Sequence, residues 1–122
     1  MDYRIEQAIN LVETNLKNGV RIDRLAHQLG VSTSYLQHLF KTETGTTLIK
    51  YQQGVRIERA CRLLEGTHLS IKQIVSEVGG RDISHFVRDF RKVQGLSPKR
   101  YRLNFFTKRN DKQNPPINNR IR

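Results

Sequence analysis

The side chains that could do chemistry in this chain of 122 residues are mostly cationic, with 22 Lys and Arg against 11 Asp and Glu and a net charge of +11. Residues 70–102 alone hold eight Lys or Arg and three Asp or Glu. A charge excess of this size favours a polyanionic partner, nucleic acid first and a membrane surface second. No apolar run approaches the roughly 20 residues that a membrane-spanning helix needs, so the sequence predicts no membrane segment.

Residue types that catalyse reactions or bind metals are few and unsuitably spaced. The four histidines, His27, His38, His68 and His85, lack the spacing of a zinc site, and the single cysteine, Cys61, cannot complete one. The chain has neither a phosphate-binding glycine loop nor a nucleophile elbow. We therefore predict no enzymatic activity, no metal and no cofactor. Cys61 falls on the apolar stripe of a predicted helix, where an inert core residue is the first interpretation and a redox sensor is the alternative.

Apolar spacing and capping residues predict seven helices and no sheet, and hence an all-α fold. The first helix is expected to end at Asn18-Gly19, and its apolar stripe is Ile5, Ala8, Ile9, Val12 and Leu16. The predicted N-caps of later helices are Ser32, Thr46 or Thr47, Ser70, Asp82 and Ser97. The predicted stops are Gly30, Gly45, Gly66, Gly79-Gly80 and Gly95.

One segment has the residue spacing of a helix-turn-helix. With Ile22 as the first position, the apolar and small positions that clamp two helices at a steep angle are all occupied. They are Leu25, Ala26, Leu29, Gly30, Val31, Leu36 and Leu39. Ala26 is small enough for the helices to approach closely, and Gly30 can supply the positive φ of the tight turn. Two unrelated helices joined by a glycine are the alternative interpretation.

The chain contains this pattern twice. The stretch LQHLFKTETG at 36–45 returns as FVRDFRKVQG at 86–95, whereas the turn glycine, Gly79 for Gly30, returns one position earlier. The second turn therefore has one extra residue, and Val75 in the small-residue position predicts a slightly wider packing of the second helix pair. We infer two helix-turn-helix units, and the repeated stretch is the recognition helix of each.

A long fourth helix is predicted between the two units. Residues 47–65 would span roughly 28 Å at 1.5 Å per residue, close to the B-DNA repeat of about 34 Å. Two recognition helices held on one side of a duplex at that separation could enter successive major grooves. One chain could then do what dimeric repressors do with two subunits.

Two long stretches carry a family resemblance. LAHQLGVSTSYLQHLFKTETGTTLIKYQQGVRIERACRLL and SIKQIVSEVGGRDISHFVRDFRKVQGLSPKRYR resemble the DNA-binding domain of AraC/XylS transcription regulators. The most specific motif is F-x-R-x-F-[RK]-K-x-x-G-x-S-P-x-x-Y-R, and the resemblance covers residues 3–104. It implies an all-helical domain of two helix-turn-helix subdomains bridged by a long helix. It also implies binding to asymmetric promoter sites and, usually, activation of transcription, often by touching RNA polymerase.

The chain departs from the family pattern just after the second turn glycine. The family usually has an aromatic residue there, and this sequence has Gly80. That ring normally packs inside the second subdomain, and a missing buried ring can cost a few kcal/mol. The departure implies a second subdomain that is either looser or repacked.

The resemblance implies base contacts from the exposed side of the first recognition helix, at Ser34, Gln37 and His38. Gln37 could pair with adenine through N6 and N7, and an ordinary surface residue is the alternative for Gln37 and for His38. The corresponding outward positions of the second unit are Ile83, Ser84, His85 and Arg88. Arg88 suits a bidentate pair with guanine. Ile83 is expected either to meet a thymine methyl group or to pack internally.

The predicted phosphate contacts are cations and helix N-termini around the recognition helices. They are Ser32, Lys41, Ser70, Arg81, Arg91, Lys92, Lys99 and Arg100. The two serines begin helices, whose free N–H groups can hold phosphates. A cation that merely solubilises the surface is the alternative for any one of the others. Arg56 matches the family's usual arginine on the bridging helix, and a structural role and a phosphate role are both open.

These patterns divide the chain into four segments. They are a helix-turn-helix subdomain at 1–46, a linker helix at 47–66, a second helix-turn-helix subdomain at 67–105 and a basic polar tail, predicted to be disordered, at 106–122. The leading hypothesis is a monomeric, sequence-specific regulator that binds double-stranded DNA, activates transcription and contacts RNA polymerase. The single cysteine fits a reducing compartment, so the expected location is the bacterial cytoplasm, at the nucleoid, with no membrane partner.

Three questions stay open at this point. A non-specific nucleic-acid-binding or architectural protein would share the charge. A protein-interaction module that has lost its DNA affinity is a third class. The chain is expected to be either a free-standing regulator or the C-terminal piece of a longer one.

Overall fold

Seven helices form the computed structural model, which describes residues 1–113, with side chains as far as residue 109. The helices are α1 (Tyr3–Thr14), α2 (Ile22–Gln28), α3 (Thr33–Thr44), α4 (Leu48–Gly66), α5 (Ile71–Glu77), α6 (Ile83–Gln94) and α7 (Pro98–Gln113). No strand occurs within residues 1–113. The all-α fold and the count of seven helices are therefore confirmed.

The predicted N-caps determine where the later helices begin. The side chains that accept a hydrogen bond from the backbone N–H three residues on are Ser32, Thr47, Ser70, Asp82 and Ser97. Thr47, rather than Thr46, caps α4. Gln73 completes the capping box with Ser70. Caps of this kind are worth about 0.5–2 kcal/mol each, which is enough to fix the start of short helices such as α5.

Two helix ends differ from the prediction. α1 ends at Thr14, so Leu16 is buried in the loop that follows and not in the helix. At the other end of the chain, α7 continues to Gln113, so the prediction of disorder from residue 106 is wrong as far as residue 113. Phe105 and Phe106, in this part of α7, are half-buried with ring centroids 5.8 Å apart. Residues 114–122 lie outside the described residues.

The helices enclose two hydrophobic clusters, one for each half of the chain. The buried residues of the first are Ile5, Ala8, Val12, Leu25, Ala26, Leu36, Phe40 and Leu48. Those of the second are Ile57, Ala60, Cys61, Leu64, Ile74, Val75, Val78, Phe86 and Phe90. The start of α4 belongs to the first cluster and its remaining turns belong to the second. Helix α4 thus contributes buried side chains to both cores.

The repeat seen in the sequence is also a repeat in packing. Phe40 meets Tyr51 edge to face at 5.7 Å, and Phe90 meets Tyr101 edge to face at the same 5.7 Å. Such pairs are worth about 0.5–1.5 kcal/mol beyond the area that they bury. Each pair fastens a recognition helix, α3 or α6, to the helix that follows it.

The two turns differ by one residue, as predicted. Gly30 and Gly79 have φ of +71° and +91°, and Gly80 is the additional residue of the second turn. A Cβ atom on Gly80 would lie 2.7 Å from Val75 Cγ1 and 3.2 Å from Phe86 Cδ2. Val75, which is 2% exposed, therefore fills the space beside this glycine. Of the two expectations for the second subdomain, the structure shows the repacked one.

Candidate nucleic-acid interface

Helix α3 presents one continuous exposed stripe. Ser34, Gln37, His38 and Lys41 are exposed and follow the spacing i, i+3, i+4, i+7, which places them on one face. The opposite face is the core, where Leu36 and Phe40 are each 1% exposed. The four polar side chains can hydrogen-bond to bases or phosphates without disturbing the core.

Tyr35 borders this stripe and is fastened to α1. The Arg4 guanidinium lies 5.3 Å from the ring centroid of Tyr35, and its Nη2 donates to the Tyr35 hydroxyl at 3.3 Å. The same guanidinium pairs with the Asp2 carboxylate at 2.9 Å. The Asp2 carboxylate, and then the Tyr35 hydroxyl, raise the pKa of Arg4. The start of α1 therefore steadies the N-terminal part of α3, a support that sequence reasoning missed.

Helix α6 presents the corresponding exposed face in the second half. Ile83, Ser84, His85 and Arg88 are exposed, and Arg91 and Lys92 continue the same face. Ile83 is 40% exposed, so it does not pack in the interior. Contact with a thymine methyl group is the interpretation that remains. Among the ion pairs of the described residues, none involves the three cations of this face. Their charges are available to a polyanion.

A hydrogen-bonded group joins α6 to α4. His85 Nε2 lies 3.3 Å from Asp89 Oδ2, and Gln53 Nε2 of α4 donates to the same oxygen. The Asp89 side chain is only 23% exposed, whereas that of His85 is 67% exposed. The Asp89 carboxylate, hydrogen-bonded by Gln53, thus lies beside the imidazole of a candidate base-reading residue. Sequence reasoning missed both residues, because they lie 36 positions apart and only the fold brings them together.

All eight predicted phosphate contacts are exposed, but they do not form a single cluster. They are Ser32, Lys41, Ser70, Arg81, Arg91, Lys92, Lys99 and Arg100. The first two belong to α3 and its cap, whereas the other six belong to the second half. Lys99 and Arg100 lie in the first turn of α7, which begins three residues after the glycine that ends α6. Cations therefore flank α6 on both sides in the chain.

A cleft of about 480 Å³ separates the two halves. Its lining includes three arginines, Arg21, Arg56 and Arg81, and the candidate base-reading residue His85. Arg56 donates from Nε and Nη2 to the carbonyl oxygen of Leu16, at 3.2 and 3.0 Å. Burial, and then the positive charge of Arg81, lower the pKa of Arg56. Of the two open roles for Arg56, the structure shows the structural one.

The last two residues of the most specific motif are also structural. Arg102 donates to four carbonyl oxygens at the end of α4 and in the loop after it, at 2.7–3.5 Å; they belong to Leu63, Leu64, Thr67 and Leu69. Tyr101 donates its hydroxyl to Glu65 at 2.5 Å, and this bond raises the pKa of Tyr101. The tyrosine and the arginine therefore fasten α7 to α4.

Other kinds of site find little support in the described part of the chain. No three His, Cys, Asp or Glu side chains within it lie close enough to share a metal ion. Cys61 is 7% exposed, and burial raises the pKa of its thiol, as expected for an inert core residue. Among the seven helices, none is long and apolar enough to cross a membrane.

Two exposed recognition helices on separate cores define a helix-turn-helix DNA-binding domain with two reading units, and comparisons with known proteins agree. The model of a helix-turn-helix domain family matches residues 25–104. The chain is 31% identical over 101 residues to the xylose operon regulatory protein of Escherichia coli, which is 83% of this chain and 26% of that protein. A transcriptional regulator from Chromobacterium violaceum, with an AraC-type DNA-binding domain, has 32% identity and a TM-score of 0.77 over 84% of this chain and 91% of that one.

The likeness in fold extends to a solved DNA complex. The DNA-binding domain of AdpA, described as a global transcriptional factor and solved with a target DNA, has a TM-score of 0.80 over 94% of this chain and 99% of that one. At 21% identity it shows the shared fold alone. The chain belongs to the AraC/XylS family, which confirms the resemblance seen in the sequence. It spans only a quarter to about a third of the length of the operon regulators that it matches.

Proposed function

We propose that this chain is a sequence-specific double-stranded DNA-binding regulator that inserts α3 and α6 into successive major grooves. The observation that carries the proposal is the pair of matched helices. Each has 12 residues, a side-chain N-cap, a left-handed glycine at its end and an exposed polar face over a buried apolar one. The 19 residues of α4 span about 28 Å, close to the B-DNA repeat of about 34 Å.

Each exposed face has a proposed role in reading DNA. Gln37 suits adenine, Arg88 suits guanine, and Ile83 suits a thymine methyl group. Ser34, His38, Ser84 and His85 are the remaining proposed base contacts. The eight exposed residues that are predicted phosphate contacts would set the position of each helix on the duplex.

The remaining parts of the proposal concern the regulator in the cell. Operon regulators among the relatives support a role in transcription. We propose activation, through contact with RNA polymerase, by a chain that binds DNA as a monomer because it already carries two reading units. The proposed location is the bacterial cytoplasm, at the nucleoid, where the DNA is.

In vitro selection of duplexes from a random pool tests this function. A preferred sequence should emerge and should outcompete mixed-sequence DNA by a factor of about 10³ or more. Footprinting of the selected site should show protection in two major grooves about one helical turn apart. Equal affinity for all duplexes would support a non-specific architectural protein. Protection of one groove alone would contradict the two-helix mechanism.

A further inference from the structure

One backbone oxygen, the carbonyl of Leu16, lies between the linker helix and the turn of the second half. It lies in the loop after α1 and accepts two hydrogen bonds from the Arg56 guanidinium of α4. Gly79, in the turn before α6, approaches the same oxygen so closely that a Cβ atom there would lie 2.2 Å from it. That Cβ would also lie 2.9 Å from the carbonyl oxygen of Lys17 and 3.1 Å from Arg56 Nε.

Further contacts of the same loop surround this point. Gln52 Oε1 accepts a hydrogen bond from the backbone N–H of Val20 at 2.7 Å. Gln52 is 8% exposed and is the one buried polar residue among the described side chains. The Lys17 ammonium lies 4.0 Å from the Glu77 carboxylate of α5, which adds a weak surface attraction. The loop of the first half is thereby attached to the linker helix and meets the turn of the second half.

We propose that Leu16, Arg56 and Gly79 form a joint that fixes the spacing and angle of α3 relative to α6, and hence the separation of the two half-sites that the protein accepts. The inference rests on the proposed function. Arg56 and Gly79 are positioning residues in it, since they act on DNA only through the recognition helices.

The geometry explains why these two residues matter more than their neighbours. Gly79 lies in the turn between α5 and α6, so a side chain there would push the second reading unit away from the first. A guanidinium offers two donors to one carbonyl oxygen in a fixed plane, and a flexible amide or ammonium cannot reproduce that arrangement. Loss of either contact would leave the linker helix as the main connection between the two units.

The first test is a series of duplexes in which the spacer between the selected half-sites is changed by one or two base pairs. Two added base pairs turn the second half-site by about 70° and move it by about 7 Å. The wild-type chain should lose at least about 10-fold in affinity, because one reading unit no longer fits. Arg56→Gln should lose less than about 3-fold on the same change of spacing, and it should bind a single half-site as the wild type does.

Arg59→Gln is the matched control on the same helix. Arg59 is exposed, whereas Arg56 is half-buried, and the substitution removes the same charge. The control should keep the full wild-type dependence on spacing. An equally sharp dependence in Arg56→Gln and Arg59→Gln would overturn the joint.

The second test compares the two turn glycines. Both have positive φ, so alanine strains each turn, but a Cβ atom on Gly30 meets nothing within 4 Å. Gly30→Ala should keep the wild-type spacing preference. Gly79→Ala should shift or broaden it, because only that Cβ pushes against the first half.

A measurement without DNA separates the joint from the proposed function. Spin labels on Thr42→Cys and Val93→Cys, both exposed and outside the base-contact set, report the separation of α3 and α6 in a Cys61→Ala background. The distance distribution should be narrow in the otherwise unchanged chain and broader or shifted in Arg56→Gln and Gly79→Ala. Unchanged distributions in both variants would overturn the joint whatever the DNA results are. Failure to select any preferred site, with distributions that do broaden, would overturn the proposed function and leave the joint intact.

Discussion

Arg88 and Lys92 are exposed on neighbouring turns of α6, yet we expect them to act differently on DNA. Arg88→Ala should cost about 1–3 kcal/mol on the preferred site and relax specificity in one half-site, because a bidentate pair with guanine is lost. Lys92→Ala should weaken binding to all duplexes alike, since phosphates are the same in every sequence. Competition titrations on the selected site and on mutated sites distinguish the two. An equal loss for Arg88→Ala on every sequence would show that Arg88 contacts only phosphate.

Arg100 and Arg102 allow stability to be separated from DNA affinity within one turn of α7. Arg102→Ala should lower the free energy of unfolding by about 2–3 kcal/mol, because it removes charged donors from the end of α4. Arg100→Ala should change stability by less than about 0.5 kcal/mol, since Arg100 is exposed, and it should weaken DNA binding. Urea denaturation and DNA titration of both variants provide the check. If Arg102→Ala were as stable as the wild type, the hydrogen bonds from Arg102 to the carbonyl oxygens at the end of α4 would contribute little to the free energy of unfolding.

Which side chains are exposed on the recognition helices could be predicted from the sequence, and which contacts support them could not. The spacing of Ser34, Gln37 and His38 opposite Leu36 and Phe40 follows from the helical period alone. The pairing of Gln53 with Asp89 depends on how α4 crosses α6, which no local spacing encodes. Arg102 likewise finds its carbonyl partners 33–39 positions earlier in the chain.

At the scale of elements, substitutions of Gly80 and Val75 test whether Val75 fills the space that the family's aromatic ring normally occupies. Gly80→Phe alone should destabilise the chain, because the new Cβ would lie 2.7 Å from Val75 Cγ1. Val75→Ala alone should cost about 2 kcal/mol by leaving a cavity. If the two effects were additive, the double variant would lose the sum of the two single losses in the free energy of unfolding. We expect its loss to be smaller than that sum by at least about 1 kcal/mol. Urea denaturation of all four proteins measures this coupling, and additive effects would show that Val75 does not occupy the place of the family's aromatic ring.

A substitution of Gly30 in the first turn tests the effect of backbone strain on stability without adding a steric clash. Gly30 has φ of +71° and open space around its Cβ position, so Gly30→Val changes little except the backbone preference. A β-branched residue at positive φ should lower the free energy of unfolding by about 1–3 kcal/mol. Thermal denaturation followed by circular dichroism measures the effect. An unchanged melting temperature would contradict the strain.

Helix starts were more predictable than helix ends. A Ser, Thr or Asp side chain that accepts from the third N–H marks a start by itself, as Ser70 and Asp82 show. The loop that follows the end of α1 is attached to Arg56, 40 positions later in the chain. Apolar periodicity does not report a tertiary contact of this kind.

At the scale of the whole molecule, the net charge of +11 predicts how DNA binding responds to salt. Six of the proposed phosphate contacts are cations: Lys41, Arg81, Arg91, Lys92, Lys99 and Arg100. If all six neutralise phosphates, a plot of log K against log salt concentration should have a slope of about −5. Titrations between low and physiological salt measure the slope, and Lys92→Ala should reduce its magnitude by about 1. A slope near zero would contradict binding through the phosphate backbone.

The sharing of α4 between both cores has an evolutionary consequence. A substitution in the interior of either half disturbs a helix on which the other half depends, so neither half can drift or be exchanged on its own. Substitutions on the outward faces of α3 and α6 do not disturb either half, because these side chains are not part of either core. Substitutions on these exposed faces can therefore change the proposed DNA preference while both cores stay as they are.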